Sequence, residues 1–214
     1  KVEDCANGTK TFVFDKPENF TFRAGQYVAF KIDNLVAPDY RAGVRSLSIC
    51  SAPSEPFMAF TVRESESGFK KTLWAMEPGT TVSITPPIGK FVLDPEDMRE
   101  VVFLIGGVGI TPVRSMLIEE QSHPTGRKMT LLYANRTLGD APFQSELRGL
   151  ELPNLRYIDV LSQEEAGVEH ENEARGYINE ELLRKEVDNP EKCVYYMVGS
   201  PAFLGAMEEM LKAM

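Results

Sequence analysis

The chain has 214 residues, of which 43% are hydrophobic and 26% charged, with a formal net charge of −9. That length can bury a core in one large domain or two small ones, and the acidic balance argues against nucleic acid or an anionic membrane surface as the main partner. Cys5, Cys50 and Cys193 lie far apart and form no CxxC pair, which argues against zinc or iron–sulfur ligation and against a disulfide framework. The longest run of apolar residues and glycine, residues 101–110, is too short for a bilayer span of about 20 apolar residues. No signal-peptide pattern opens the chain, whose first residue is Lys1 rather than Met, and a reducing, cytoplasmic setting is expected.

Residues 1–96 are dense in turn signals: Asn7-Gly8, Lys16-Pro17, Ala37-Pro38-Asp39, Ala52-Pro53, Glu77-Pro78-Gly79 and Pro86-Pro87. Between them lie short runs of β-branched and aromatic residues, at 11–14, 26–32, 58–64 and 81–86. Short strands at close spacing predict a small antiparallel barrel or sandwich. Beyond residue 96 the texture changes. Residues 101–105 form a continuous apolar run, as in a strand buried on both faces. Val113, Met116 and Leu117 follow at helical spacing. Residues 129–134 predict a second strand, and 142–150 a helix with Pro142 in its first turn. Residues 155–161 and 194–198 predict two more strands, and the polar, acidic stretch 163–175 an exposed loop. Phe203, Ala206, Met207, Met210 and Leu211 form a closing helical stripe. This alternation predicts a parallel sheet with helices on its faces. The charge divides with the texture: residues 1–96 hold 11 basic and 12 acidic side chains, residues 97–214 hold 12 and 20.

The strongest local motif is Gly106-Gly107-Val108-Gly109-Ile110-Thr111-Pro112, between a predicted strand and a predicted helix. Glycine lets the backbone turn sharply and approach a ligand, and a helix start offers N–H groups to a phosphate. The motif is not GxGxxG and lacks the Walker lysine, so neither the common dinucleotide fingerprint nor an ATPase loop applies. His123 and His170 lie in loop-like segments with nothing beside them to make a metal ligand or a base, and no metal site is expected.

Several motifs in order resemble the ferredoxin–NADP reductase family. Residues 45–48, RSLS, resemble its flavin motif; residues 67–73, SGFKKTL, its flavin-phosphate loop and short helix; residues 86–93, PPIGKFVL, the turn closing its barrel. Residues 105–116 resemble its nicotinamide-nucleotide loop, and 133–137 and 195–203 its later nucleotide-binding strand ends. The resemblance implies a six-stranded antiparallel flavin-binding β-barrel over residues 1–96 and a parallel α/β NAD(P)-binding domain over 97–214. It implies that Arg45 holds the flavin phosphate, as suits a planar guanidinium, and that Ser48 hydrogen-bonds near the hydride-accepting flavin nitrogen. Leu47 stands where the family usually has a ring-stacking tyrosine. Val62 would hold the flavin edge through its backbone. Gly68, Phe69, Lys70 and Lys71 would hold the flavin phosphates, the lysines supplying charge where the usual hydroxyl is missing.

On the nucleotide side the resemblance implies Gly106, Gly107, Gly109, Ile110, Thr111 and Pro112, with Thr111 near the nicotinamide and, with Ser48, the catalytic pair. Asn135 and Arg136 would face the pyrophosphate or ribose, and Gly199, Ser200 and Pro201 would lie at a neighbouring strand end. Val198 replaces a cysteine common in the family. Ser162-Gln163 followed by Glu164-Glu165 falls where NADPH-using relatives carry Ser-Arg, so NADH is favoured over NADPH, with Arg175 and Tyr177 as further phosphate candidates. Cys50, Leu73 and Trp74 are read as core residues, and Cys193 as buried in or beside its strand.

The implied enzyme passes hydride from NADH or NADPH to FAD, a site that would also suit FMN. Electrons then go to a protein acceptor (a ferredoxin, a flavodoxin or an oxygenase component) or to a small oxidant. Two rival readings are a reductase of free flavin or ferric iron, and a catalytically silent nucleotide-binding module with a regulatory role.

Overall fold

The computed structural model describes residues 1–164 and 172–214. The chain divides into two compact units, one of Lys1–Leu93 with Thr111–Glu119, the other of Asp94–Ile110 with Glu120–Met214.

The first unit is antiparallel. Strands β1 (Val2–Ala6), β2 (Thr9–Asp15) and β5 (Phe57–Arg63) form one three-stranded sheet in the order β1-β2-β5. Strands β3 (Tyr27–Lys31), β4 (Val44–Ser48) and β6 (Ser83–Ile84) form another in the order β4-β3-β6. The expected single barrel is thus seen as two three-stranded sheets, and β6 is shorter than the 81–86 run predicts. Ser83 and Ile84 form the continuous pairing with β3; Pro86 and Pro87 supply no N–H and interrupt it, and Ile88 beyond them rejoins β3 as a single bridge to Tyr27. β1 had no apolar signature and owes its place to backbone pairing with β2, from Val2 opposite Phe12 to Ala6 opposite Thr9.

Aromatic residues fill the interior of this unit. Phe30, fully buried, meets Phe60 at 5.1 Å, Phe14 at 5.6 Å and Phe69 at 6.0 Å, each edge-on. Edge-to-face rings add about 0.5–1.5 kcal/mol each to the burial itself. Helix α1 (Gly68–Trp74) supplies Phe69 and Leu73 to the same core and lays Trp74 against Phe12 at 5.8 Å.

The second unit is a five-stranded parallel sheet in the order β10-β9-β8-β7-β11, formed by β7 (Val101–Gly106), β8 (Met129–Asn135), β9 (Leu155–Leu161), β10 (Glu173–Arg175) and β11 (Val194–Val198). The chain steps outward from β7 to β10, then returns to β11 on the other side of β7. Helices α4 (Glu180–Glu186) and α5 (Pro201–Ala213) cover one face, where Leu183 and Met207 pack on Val102, Leu104, Leu132 and Ile158. Helix α2 (Thr111–Ser122) follows the glycine motif; its residues Thr111–Glu119 belong to the first unit, with Val113, Met116 and Leu117 all buried as their spacing predicts.

Two expectations change here. The helix predicted over 142–150 is α3 (Gln144–Arg148), and Pro142 lies ahead of it. Phe143 caps it at φ 61°, a left-handed backbone that breaks the helix before proline can enter. The stretch 163–175 is not all loop, because Glu173–Arg175 pairs with β9 as β10. Glu173 reads as exposed from its charge, but Arg148 at 2.9 Å and Arg175 at 3.5 Å neutralise its buried carboxylate.

Candidate functional site

In the first unit the candidate residues lie on β4, β5 and α1. Arg45 stands on β4 with its side chain 12% exposed. Its guanidinium is clamped between the rings of Tyr40, 5.0 Å away, and Phe69, 5.2 Å away. It already holds an anion. Its two terminal nitrogens donate to the Asp39 carboxylate at 2.9 and 2.6 Å, a two-point pairing. The backbone N–H of Phe69 donates to the same carboxylate at 3.0 Å, as do those of Arg41 at 3.0 Å and Gly43 at 3.4 Å. Together Arg45 and these N–H groups hold Asp39 well below the usual carboxylate range, against the opposing effect of burial.

Leu47 is half-buried and packs on the aromatic core. Ser48 ends β4 in register with Tyr27. Val62 keeps its side chain in the core and sits on edge strand β5, so its backbone is the part a ligand could meet. Gly68 and Phe69 are buried, and Ser67 caps α1 by accepting from the Lys70 N–H. The two lysines separate. Lys71 pairs with Glu66 at 2.6 Å on the surface. Lys70 has no ion pair among the described residues; burial, then the charges of Arg45 and Arg63, depress its ammonium pKa. Leu73 and Trp74 are core residues, and Cys50 is a buried thiol pushed up to about 12 chiefly by burial.

In the second unit the glycine motif leaves the carboxyl end of β7 as a tight 3-10 turn, Gly107–Ile110. Gly107 adopts φ +54°, and a Cβ there would meet nothing within 4 Å, so the space above the turn is open. Gly109 is the opposite case: a Cβ would fall 2.9 Å from the Val198 carbonyl oxygen. The turn therefore lies flat against the end of β11, and the tyrosine hydroxyl of Tyr133 sits 3.1 Å from the Gly107 carbonyl. Gly199 follows β11 and Ser200 caps α5, accepting from the Phe203 N–H at 3.2 Å, with Pro201 at the first helical position. These two strand ends flank the point where the sheet order reverses, the usual ligand crevice of open parallel sheets.

Asn135 ends β8, one residue past the Ala134–Gly106 pairing, and its buried amide nitrogen has no hydrogen-bond partner among the described residues. A buried donor without a partner is costly and points to a ligand. Arg136 and Gln163 are exposed, joined by a backbone bond of 2.8 Å. Glu164 turns back so that its carboxylate accepts the Leu138 N–H at 2.8 Å. Tyr177 is 77% exposed, and one terminal nitrogen of Arg175 is buried without a hydrogen-bond partner among the described residues. Cys193 lies just before β11, half-buried, its thiol raised to about 11 mainly by burial. Thr111 is buried at the start of α2 and Ile110 ends the 3-10 turn. His123 is exposed, while Glu165 and His170 lie outside the described residues.

The family profile described as the oxidoreductase NAD-binding domain matches residues 103–209, half of the chain. The chain belongs to the ferredoxin–NADP reductase family. It is similar to a flavohemoprotein of Bordetella pertussis, with 30% identity over 203 residues, covering 87% of this chain and 48% of that protein. The chain spans about half the length of the curated relatives it matches. Its fold is shared with a cytochrome P450 reductase from Amycolatopsis (TM-score 0.81, 22% identity, 100% of this chain and 63% of that one). It is shared also with a ferredoxin NADP+ reductase from Neisseria gonorrhoeae solved with bound FAD and NADP (TM-score 0.78, 20% identity, 97% and 85%).

Sequence reading missed Asp39, taken only as part of a turn, and Arg63. The available signal for Asp39 was an acidic residue six positions before a motif arginine, in a loop short enough to fold back. No helix among the described residues is long and apolar enough to cross a membrane.

Proposed function

We propose that the chain is the reductase unit of an electron-transfer system, moving hydride from NADH to FAD and electrons onward to a separate acceptor. In this reading residues 1–96 are the flavin-binding barrel and residues 97–214 the nucleotide-binding half. The observation that carries it is the open glycine turn at the end of β7 beside the orphaned amide of Asn135. An open backbone surface beside an unused buried donor is what a dinucleotide would complete.

Donor chemistry in the first unit suits a flavin phosphate. Arg45 and the Phe69 N–H already bind two carboxylate oxygens, in the way they would bind phosphate oxygens. A bound flavin would supply the hydride acceptor and release electrons to the next carrier. The protein's task is alignment and exclusion of water rather than acid–base chemistry. Gly106, Gly107 and Gly109 admit the nicotinamide nucleotide, and Gly199, Ser200 and Pro201 wall it from β11. Thr111 and Ser48 line the two reacting rings. Ser162-Gln163 stand where NADPH-using relatives carry Ser-Arg, and the Glu164 carboxylate next to them, held by the Leu138 N–H, would repel a 2′-phosphate, which favours NADH. The acceptor, in a chain similar to half of a flavohemoprotein and to a P450 reductase, is a haem or iron–sulfur protein or domain.

The Arg45–Asp39 pairing favours one second reading, in which flavin binds weakly and leaves as a substrate. Anaerobic stopped-flow reduction of the flavin-loaded protein with NADH and NADPH in parallel tests the proposal. Faster reduction by NADH is expected, and an NADPH preference overturns the specificity. Flavin that stays with the protein through gel filtration overturns the second reading.

A further inference from the structure

Asp39 belongs to the segment between β3 and β4, and that segment closes over Arg45. Its carbonyl groups lie against α1: a Cβ at Gly68 would fall 2.2 Å from the Ala37 oxygen and 2.6 Å from the Pro38 oxygen. Val36 N–H donates to the Thr72 hydroxyl at 3.0 Å. The Asp39 side chain is 0% exposed, whereas its neighbours Val36 and Tyr40 are 65% and 80% exposed. The segment is bounded by left-handed backbone at Asn34 (φ 56°) and at Ala42 (φ 47°), and alanine takes that conformation only at a cost. Arg45 and Arg63 are both close enough to Lys70 for their charges to act on it, and Asp39 is the only carboxylate bonded to Arg45 among the described residues.

We propose that Asp39 is an internal competitor for the flavin phosphate, holding Arg45 until the 34–43 segment swings away and a phosphate takes its place. This rests on the flavin reading above and adds to it the residue that sets the site's selectivity for phosphorylated flavins. The carboxylate and a phosphate ask for the same donors, Arg45 and the Phe69 N–H. They cannot occupy them together, because Asp39 Oδ1 and Oδ2 already take both guanidinium nitrogens. The phosphomonoester of FMN brings close to two negative charges, and the pyrophosphate of FAD one on each of its two phosphates, against one for a carboxylate, so either is the better match for the cations once the segment opens. Apparent affinity is then the intrinsic affinity multiplied by the open fraction.

The test is an equilibrium titration of FAD, FMN and riboflavin, followed by flavin fluorescence, on the wild-type chain and on Asp39→Asn and Asp39→Ala. Riboflavin lacks the phosphate, so its binding reports an intact ring site and an intact fold. Both variants are expected to bind FAD and FMN about tenfold or more tighter than wild type, with riboflavin unchanged. Equal or weaker FAD and FMN binding with riboflavin unchanged overturns the proposal while leaving the flavin reading standing. A second measurement needs no variant. The Arg41 and Gly43 amides donate to Asp39, so their hydrogen-exchange protection in the wild-type chain should fall when FMN is added and stay when riboflavin is added. Protection that survives FMN saturation overturns the competition. Failure of all three flavins to bind any of these proteins overturns the flavin reading and the competition with it.

Discussion

Replacing Gly109 by alanine separates steric from conformational roles of glycine in the candidate nucleotide loop. A Cβ at Gly109 would sit 2.9 Å from Val198 Cγ1, 2.9 Å from the Val198 carbonyl oxygen and 3.0 Å from its carbonyl carbon. Ordinary carbon contacts lie near 3.5–4.0 Å, so the loop or the end of β11 must yield by about half an ångström. The Val198 side chain can rotate away, but its backbone is held by the ladder that pairs Val198 with Ile105. Overpacking of this kind costs about 1–3 kcal/mol. Gly107 is the control. It has nothing within 4 Å of its Cβ but adopts φ +54°, so alanine there costs about 1–2 kcal/mol of backbone strain alone.

The two glycines therefore respond differently to a second change. Val198→Ala removes Cγ1 but leaves the carbonyl, so it should restore part of the loss in Gly109→Ala and none of the loss in Gly107→Ala. Urea denaturation of the two single variants and their Val198→Ala doubles reads the stability. Titration with NADH reads the loop, and Gly109→Ala should weaken binding by about tenfold or more, since displacements near an ångström cost on the order of a hundredfold at a positioned site. If Gly109→Ala matches wild type in both measurements, the close packing of loop on strand is wrong. Full rescue by Val198→Ala would place the whole clash on the side chain and refute the role given to the carbonyl.

Three further outcomes follow from the same geometry. Arg148→Met should destabilise the chain by about 3 kcal/mol in urea denaturation, because it strips Asp159 of its guanidinium at 2.8 Å and removes the nearer of Glu173's two, at 2.9 Å; the figure is at the low end because Arg148 is itself 33% exposed and Arg175 stays beside Glu173. Burial raises the Asp159 pKa, opposed by hydrogen bonds from Gln144, Tyr157 and Arg148. The folded state therefore favours the protonated acid, a contribution present below the unfolded pKa of about 4 and lost as pH rises through the folded one. Stability of wild type relative to Asp159→Asn should accordingly fall from pH 4 upward, and a rise would contradict the burial argument. Glu164→Gln should shift the ratio of NADPH to NADH turnover upward about fivefold, the weight of roughly 1 kcal/mol for one half-buried, solvent-screened charge, and an unchanged ratio would remove Glu164 from cofactor choice.

Where apolar periodicity decides the structure, the chain reads directly. Residues 101–105 are buried throughout because their neighbours β8 and β11 flank them in the sheet, and Val113, Met116 and Leu117 are buried because helical spacing puts them on one face. β1 was not legible, since Val2–Ala6 pairs through its backbone and leaves three of its five residues exposed. β10 was hidden for the opposite reason. Glu173 and Arg175 look solvated, but Arg175 itself and Arg148, 25 residues earlier, make a buried glutamate tolerable there.

The same blindness bears on the candidate site. Arg45 was legible as an anion ligand because its motif and its chemistry agree, but sequence polarity could not say which anion. An arginine clamped between two rings and 12% exposed must be paired, since an isolated buried charge is far too costly. The chain supplies that partner itself, six residues upstream, and so keeps the site folded without a ligand. A site that carries its own anion does not depend on cofactor to stay folded. It follows that Arg45→Ala should leave Asp39 a buried carboxylate without its guanidinium and lower the stability of the flavin-free chain, whereas an arginine that served the cofactor alone would be lost without effect on that state. Thermal melting of flavin-free Arg45→Ala beside wild type makes the distinction, and equal midpoints would show that Asp39 and Arg45 do not support one another.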